Sequence, residues 1–128
     1  MAHIINLKTF SDSRGSLTVV EDKQLPFKIK RSFYIHGVKK GEIRGKHRHH
    51  KAIQAMICLE GSCKIYNHDG EKEERFILDS ASKCLILEPQ DWHYMEEFSD
   101  HTVLNVLSSE YFSTEDYIYE PYNHTHST

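Results

Sequence analysis

An all-β jelly-roll domain with one short C-terminal helix is expected for this chain. Runs with period-two alternation recur roughly every ten residues, and turn-forming residues separate them. The length agrees: 128 residues make one ordinary domain, with core enough for a single unit and too little chain for two. No linker, repeat or low-complexity stretch divides residues 1–128.

The strands are read in order as Ile4 to Phe10, Leu17 to Glu21, Ile29 to His36, Ile43 to His49, Ile53 to Leu59, Ser62 to Asn67, Glu74 to Leu78, Cys84 to Glu88, His93 to Phe98 and Thr102 to Leu107. In most of them apolar residues alternate with polar ones, as Ile65 does with Lys64 and Tyr66, which is the pattern of a half-buried strand. Glu60-Gly61 and Asp69-Gly70 supply hairpin turns, because glycine accepts the positive φ such turns need. Only Ser113 to Tyr119 reads as helical, with Ser113 as N-cap and Glu115 and Asp116 in a first turn where the helix dipole favours acids. Residues 121–128 are expected to fray, which makes His124 and His126 tail residues.

Composition narrows the function. With 38% apolar and 27% charged residues, the chain is globular rather than disordered. No run approaches the roughly 20 apolar residues of a membrane span. Met1 to Phe10 lacks the basic start and apolar block of a secretion signal, so a cytoplasmic location is expected. Cys58, Cys63 and Cys84 are odd in number and lack metal-ligand spacing. Cys58 and Cys63 can meet across a hairpin, but reduced core thiols are the expectation. A net charge of −3 argues against general nucleic-acid binding, so an anionic ligand must be held by a local cluster.

The most informative spacing is Gly41, His47, His49, Gln54 and Gly61, which is that of the first cupin motif with Gln54 in place of the usual Glu. Alternation on a strand puts His47 and His49 on one face, about 7 Å apart. Such a pair either grips a metal or moves protons. A metal site would draw on His47, His49, Gln54 and His93. Two features oppose it. Gln54 is neutral, and in Pro89-Gln90-Asp91-Trp92-His93 the histidine comes one residue earlier than in the second cupin motif, a slip that should turn its side chain over. A purely structural role must explain why two imidazoles, the Arg44 guanidinium and the Gln54 amide are buried, which costs several kcal/mol unless ligand or water satisfies them. His3, His36, His68 and His101 read as surface or satisfied residues, and His50 as facing away from His49.

Several segments together carry a family resemblance. They are Asp12-Ser13-Arg14-Gly15-Ser16-Leu17, Pro26-Phe27-Lys28-Ile29-Lys30-Arg31 with Phe33-Tyr34-Ile35, and Arg44-Gly45-Lys46-His47-Arg48-His49. Further on come Cys58-Leu59-Glu60-Gly61-Ser62, Leu78-Asp79-Ser80, Trp92-His93, and Ser109-Glu110-Tyr111 leading to Asp116-Tyr117-Ile118. From about Ile5 to Tyr119 the chain resembles the sugar-nucleotide 3,4-ketoisomerases, WxcM-like cupins. The resemblance implies an RmlC-like jelly-roll barrel without cofactor or metal. It also implies a homodimer that exchanges N-terminal strands around residues 1–10. The implied substrate is dTDP-4-keto-6-deoxyglucose, whose keto group moves from C4 to C3 on the way to amino sugars of surface polysaccharides.

Histidine suits this chemistry because its ordinary pKa lies near working pH, so it can accept a proton and then return it. The resemblance carries the base to His49 and the shuttle to His47, with the reverse assignment open, and gives Tyr34 the enediolate to stabilise. Arg14, Arg31 and Arg44 are the candidates for the pyrophosphate, since a guanidinium fork fits phosphate oxygens. Tyr66 or Trp92 is the candidate support for thymine, and Gln54 for a sugar hydroxyl or an imidazole. Arg14 and His93 resemble the residues of members whose product has the galacto configuration, dTDP-3-keto-6-deoxygalactose. A metal-dependent cupin enzyme and a non-catalytic sugar-nucleotide binding module are the alternatives.

Overall fold

A computed structural model of the chain describes residues 1–123. Twelve strands follow in chain order: β1 (His3–Asn6), β2 (Thr9–Asp12), β3 (Gly15–Thr18), β4 (Arg31–His36), β5 (Arg44–His49), β6 (Gln54–Glu60), β7 (Cys63–His68), β8 (Glu73–Leu78), β9 (Lys83–Leu87), β10 (Trp92–Glu96), β11 (Val103–Ser108) and β12 (Tyr117–Ile118). They form two five-stranded sheets, ordered β1-β9-β6-β11-β4 and β12-β5-β10-β7-β8, and a separate β2-β3 hairpin. This is the jelly-roll arrangement expected from the strand spacing.

Alternation explains the core. Met56, Cys58, Leu85, Leu104 and Val106 from the first sheet meet Cys63, Ile65, Leu78 and Met95 from the second. Each fully buried aliphatic side chain of this kind contributes roughly 1.5–3 kcal/mol. The residues between them in sequence, Ala55, Ile57, Ile86 and Leu107, pack with Leu25, Phe27 and Ile29 in a second cluster. All three cysteines are buried and free.

All ten expected strands form, with three differences. The run Ile4 to Phe10 breaks at Leu7, whose N–H donates to the Ser82 carbonyl, so β1 lies along β9 while β2 turns away into the hairpin. The helix expected over Ser113 to Tyr119 does not form. Thr114–Asp116 makes one 3-10 turn and Tyr117–Ile118 joins β5 as β12. Seven residues give few hydrogen bonds for a costly nucleus, and the Asp116 carboxylate is engaged by the N–H groups of Lys51 and Ala52. The third difference is Tyr122, which is docked rather than frayed. Its hydroxyl donates to the Gln90 carbonyl at 2.7 Å and the Arg48 guanidinium lies 4.3 Å from its ring centroid. His124 and His126 lie outside the described residues.

One irregularity shapes the site. On β5 and β10, His47 pairs with His93, but the next pair is Gly45 with Tyr94, which leaves Lys46 as an extra residue. Gly45 and Lys46 both have positive φ, +97° and +68°. A Cβ at Gly45 would stand 3.1 Å from the His93 carbonyl oxygen, so glycine is needed there twice over. Simple alternation would turn Arg44 away from His47, and the bulge brings both to the same cavity.

Candidate active site

A cavity of about 470 Å³ opens between the sheets, lined by Phe33 of β4, Arg44 and His47 of β5, Gln54 of β6 and His93 of β10. Tyr117 and Tyr119, from the segment that runs antiparallel beside β5, close one side. Phe112 stands at its exposed edge.

Three imidazoles form the polar centre. The His47 ring lies 5.0 Å from those of both His49 and His93, edge-on to each, and the His49 and His93 rings are 6.2 Å apart. His93 therefore faces the cluster, against the expectation that its early position would turn it over. The β5–β10 register places it directly across from His47. His47 lines the cavity and is half-buried, whereas His49 is only 5% exposed and sits behind it.

Each ring is held from outside the cluster. His49 Nδ1–H donates to Asp116 Oδ2 at 2.9 Å, and His93 Nδ1–H donates to the Asp91 carbonyl at 3.0 Å. The Gly45 carbonyl engages His47. Asp91 is itself fully buried, receiving hydrogen bonds from Asn67 and the Glu88 N–H. Burial, and then the neighbouring His93, lower the His47 pKa to about 4. Burial and His47 likewise lower His49 to about 4, although Asp116 works in the opposite direction. Burial also takes His93 to about 4. Partial burial would raise Asp116, but the Lys51 N–H and His49 outweigh it and hold the carboxylate below its ordinary value. At neutral pH the site thus presents three uncharged imidazoles, with one carboxylate behind His49.

The other expected site residues divide. Arg31 does not line the cavity but lies against two residues that do, its guanidinium 4.8 Å from the Phe33 ring centroid and 5.6 Å from that of Phe112. Gln54 is buried in the cavity wall. Tyr34 does not reach the cavity: it is 64% exposed, because Phe33 and Ile35 take the inward positions of β4. Tyr66 and Trp92 are also outside it, on the opposite face of the second sheet. There Tyr66 stacks on Tyr94 and the Trp92 Nε1–H donates to the Tyr119 carbonyl. Arg14 is on the β2-β3 hairpin, paired with Asp12 at 2.6 Å.

Sequence reasoning missed Asp116, Tyr117 and Tyr119 as site residues. The Tyr117 ring lies 4.7 Å from that of His47 and 4.8 Å from that of His49. Asp116-Tyr117-Ile118 belonged to the resembling segments, but the assumed helix concealed its strand pairing.

The family model described as FdtA, WxcM-like, C-terminal matches residues 1–128. The chain belongs to that family. A TDP-4-oxo-6-deoxy-alpha-D-glucose-3,4-oxoisomerase of Aneurinibacillus thermoaerophilus is 44% identical over 116 residues, covering 90% of this chain and 84% of the relative. The chain is similar to the 3,4-ketoisomerase QdtA of Thermoanaerobacterium thermosaccharolyticum, solved as a histidine-to-asparagine mutant with TDP-4-keto-6-deoxyglucose. There the TM-score is 0.90 at 38% identity, over 93% of this chain and 87% of that one. A dTDP-4-dehydrorhamnose 3,5-epimerase of Bacillus anthracis shares the fold, with a TM-score of 0.80 at 20% identity over 91% and 76% of the two chains. No helix among the described residues is long and apolar enough to cross a membrane.

Proposed function

We propose that this chain is a TDP-sugar 3,4-ketoisomerase that moves the keto group of dTDP-4-keto-6-deoxyglucose from C4 to C3. The observation that carries the reading is a neutral imidazole, His47, on the cavity wall, backed by His49 and its carboxylate partner Asp116. A base removes the C3 proton while O4 gains one, giving the enediol. C4 then receives a proton and O3 loses its own. The oxidation state of the molecule is unchanged, so proton carriers suffice.

His47 is the base at the carbons, because it alone of the β5 pair lines the cavity, and His49 is its proton partner. This reverses the roles carried over from the family resemblance. Asp116 fixes the His49 tautomer and favours its transient imidazolium. Arg44 on the wall and Arg31 beside Phe33 and Phe112 are the pyrophosphate ligands, and Gln54 meets the sugar hydroxyls. The stacked rings of Tyr117 and Tyr119, 6.1 Å apart, take over from Tyr66 and Trp92 as the apolar surface for the sugar or base.

The product is assigned as dTDP-3-keto-6-deoxygalactose, used for amino-sugar synthesis. His93, opposite His47 in the cluster, supports delivery of the proton from one fixed face.

A homodimer is part of the same reading. The β2-β3 hairpin pairs with neither large sheet, and it leaves Phe10 and Leu17 57% and 61% exposed. A second copy covering that hairpin would bury both residues and bring Arg14 to an interface. The free buried thiols suit a reducing, cytoplasmic setting.

The test is an NMR time course of dTDP-4-keto-6-deoxyglucose with the protein in deuterated water. The expected result is deuterium at C4 of a 3-keto product, with the galacto configuration read from the H4–H5 coupling of product formed in a parallel run in ordinary water. Unlabelled, unchanged substrate would leave only a binding module.

A further inference from the structure

We infer that Tyr122, which does not reach the cavity, is a positioning residue for the reaction: it latches the C-terminal strap, residues 117–122, and so holds the tyrosine wall of the substrate cavity in place. The link to substrate affinity rests on the proposed function, since it takes Tyr117 and Tyr119 as the surface that meets the TDP-sugar.

The strap's own pairing is slight. β12 joins β5 through Tyr117 and Ile118, and so short a ladder at the edge of a sheet opens at small cost. Beyond it Tyr119 is 64% exposed, yet its ring lines the cavity, 6.1 Å from that of Tyr117 and 6.2 Å from that of His47. A side chain so open to water is not oriented by its own burial. Its backbone has to be fixed from behind.

The strap is fixed on both sides of Pro121. Before it, the Trp92 Nε1–H donates to the Tyr119 carbonyl at 3.1 Å. After it, the Tyr122 hydroxyl accepts from Arg48 Nη1 at 3.2 Å and donates to the Gln90 carbonyl at 2.7 Å. The direction is forced, because a guanidinium can only donate and a carbonyl can only accept. The ring is clamped as well. The Arg48 guanidinium lies 4.3 Å from its centroid, the His68 ring is 5.3 Å away, and at Gly70 a Cβ would already stand 3.5 Å from it. Pro121 fixes its own φ, so the link between the two anchors has little slack to absorb a shift at Tyr122.

The partners make this a matter of function. Arg48 stands between His47 and His49 on β5, and Gln90 precedes Asp91, whose carbonyl holds His93. One side chain thus ties the tyrosine wall to both segments that set the imidazoles. The latch is nonetheless separable from proton transfer. Asp116 is anchored upstream by its own bonds: its carboxylate takes the N–H groups of Lys51 and Ala52, and its carbonyl takes that of His50. Releasing Tyr122 should therefore loosen the wall at Tyr119 and leave the carboxylate behind His49 where it is.

The experiment compares wild type, Tyr122→Ala and Tyr122→Phe by steady-state kinetics on dTDP-4-keto-6-deoxyglucose and by amide hydrogen exchange. Tyr122→Ala should raise KM about tenfold with kcat within about twofold. In the same variant residues 117–122 should exchange about tenfold faster, while β11 keeps its protection. Tyr122→Phe keeps the ring and loses both hydrogen bonds, so it should move KM and exchange about threefold; it decides the matter should the alanine variant fold poorly. The inference is overturned if KM ignores the substitutions, if kcat falls while KM stays, or if exchange quickens across both sheets. A wild-type chain that never isomerises would instead overturn the proposed function, while exchange of residues 117–122 in the variants still decides whether Tyr122 is the latch.

Discussion

Asp116 Oδ2 accepts a hydrogen bond from His49 Nδ1 at 2.9 Å, although the two residues are 67 positions apart in the chain. The same carboxylate receives the N–H groups of Lys51 and Ala52. Asp116→Asn keeps the shape and removes the charge. It should lower kcat by about 10² with little change in KM, since it disturbs a proton carrier rather than a substrate contact. An equal rise in KM would show that Asp116 instead shapes the binding surface.

His47→Asn should abolish turnover and deuterium exchange while leaving TDP affinity within about twofold, because the base acts on the sugar and not on the nucleotide. His49→Asn should lose most turnover but keep slow exchange, as the cavity-facing imidazole remains. If the order were reversed, His49 would be the base. Arg44→Ala should instead weaken TDP binding about tenfold, the scale of one charge-assisted hydrogen bond. Calorimetric titration with TDP distinguishes these cases.

The pH dependence follows from burial. With His47, His49 and His93 held near 4 against an ordinary 6.5, the unfolded chain binds more protons than the folded one between those values. Stability contributed by the neutral imidazoles is complete above about pH 6.5 and is lost progressively as pH falls toward 4. Urea midpoints measured at pH 7 and 4.5 should show the drop. The acid limb of kcat/KM should likewise fall near pH 4, and a limb near 6.5 would mean that the catalytic ring is solvated.

Gly45→Ala should destabilise the fold by roughly 1–3 kcal/mol, since it places a side chain in a positive-φ bulge against the His93 carbonyl. It should also cost activity, because both His47 and Arg44 take their direction from that bulge. Thermal melts and TDP titration report the two effects separately.

Leu17→Asp, on the outer face of the hairpin, should shift sedimentation from dimer to monomer without altering the far-UV spectrum. A wild-type chain that sediments as a monomer at micromolar concentration would remove the dimer from the proposal.

Strands were legible in the sequence because alternation is local, and ten were located to within a few residues. His47, His49 and Gln54 were legible for the same reason, as a fixed spacing on neighbouring strands. Tyr34, Tyr66 and Trp92 were misplaced because periodicity gives the alternation of faces but not which face looks inward. His93 was misread because register depends on the partner strand, and the extra residue at Lys46 cannot be inferred from β10 alone. Asp116 was hidden by local helix chemistry, which lost to a long-range pairing.

The late position of β12 has a developmental consequence. During synthesis His49 emerges 67 residues before its carboxylate, so for much of translation both sheets can begin to assemble around histidines that nothing yet orients. The orientation of His49 would arrive abruptly once Asp116 and Tyr117 have emerged and settled beside β5.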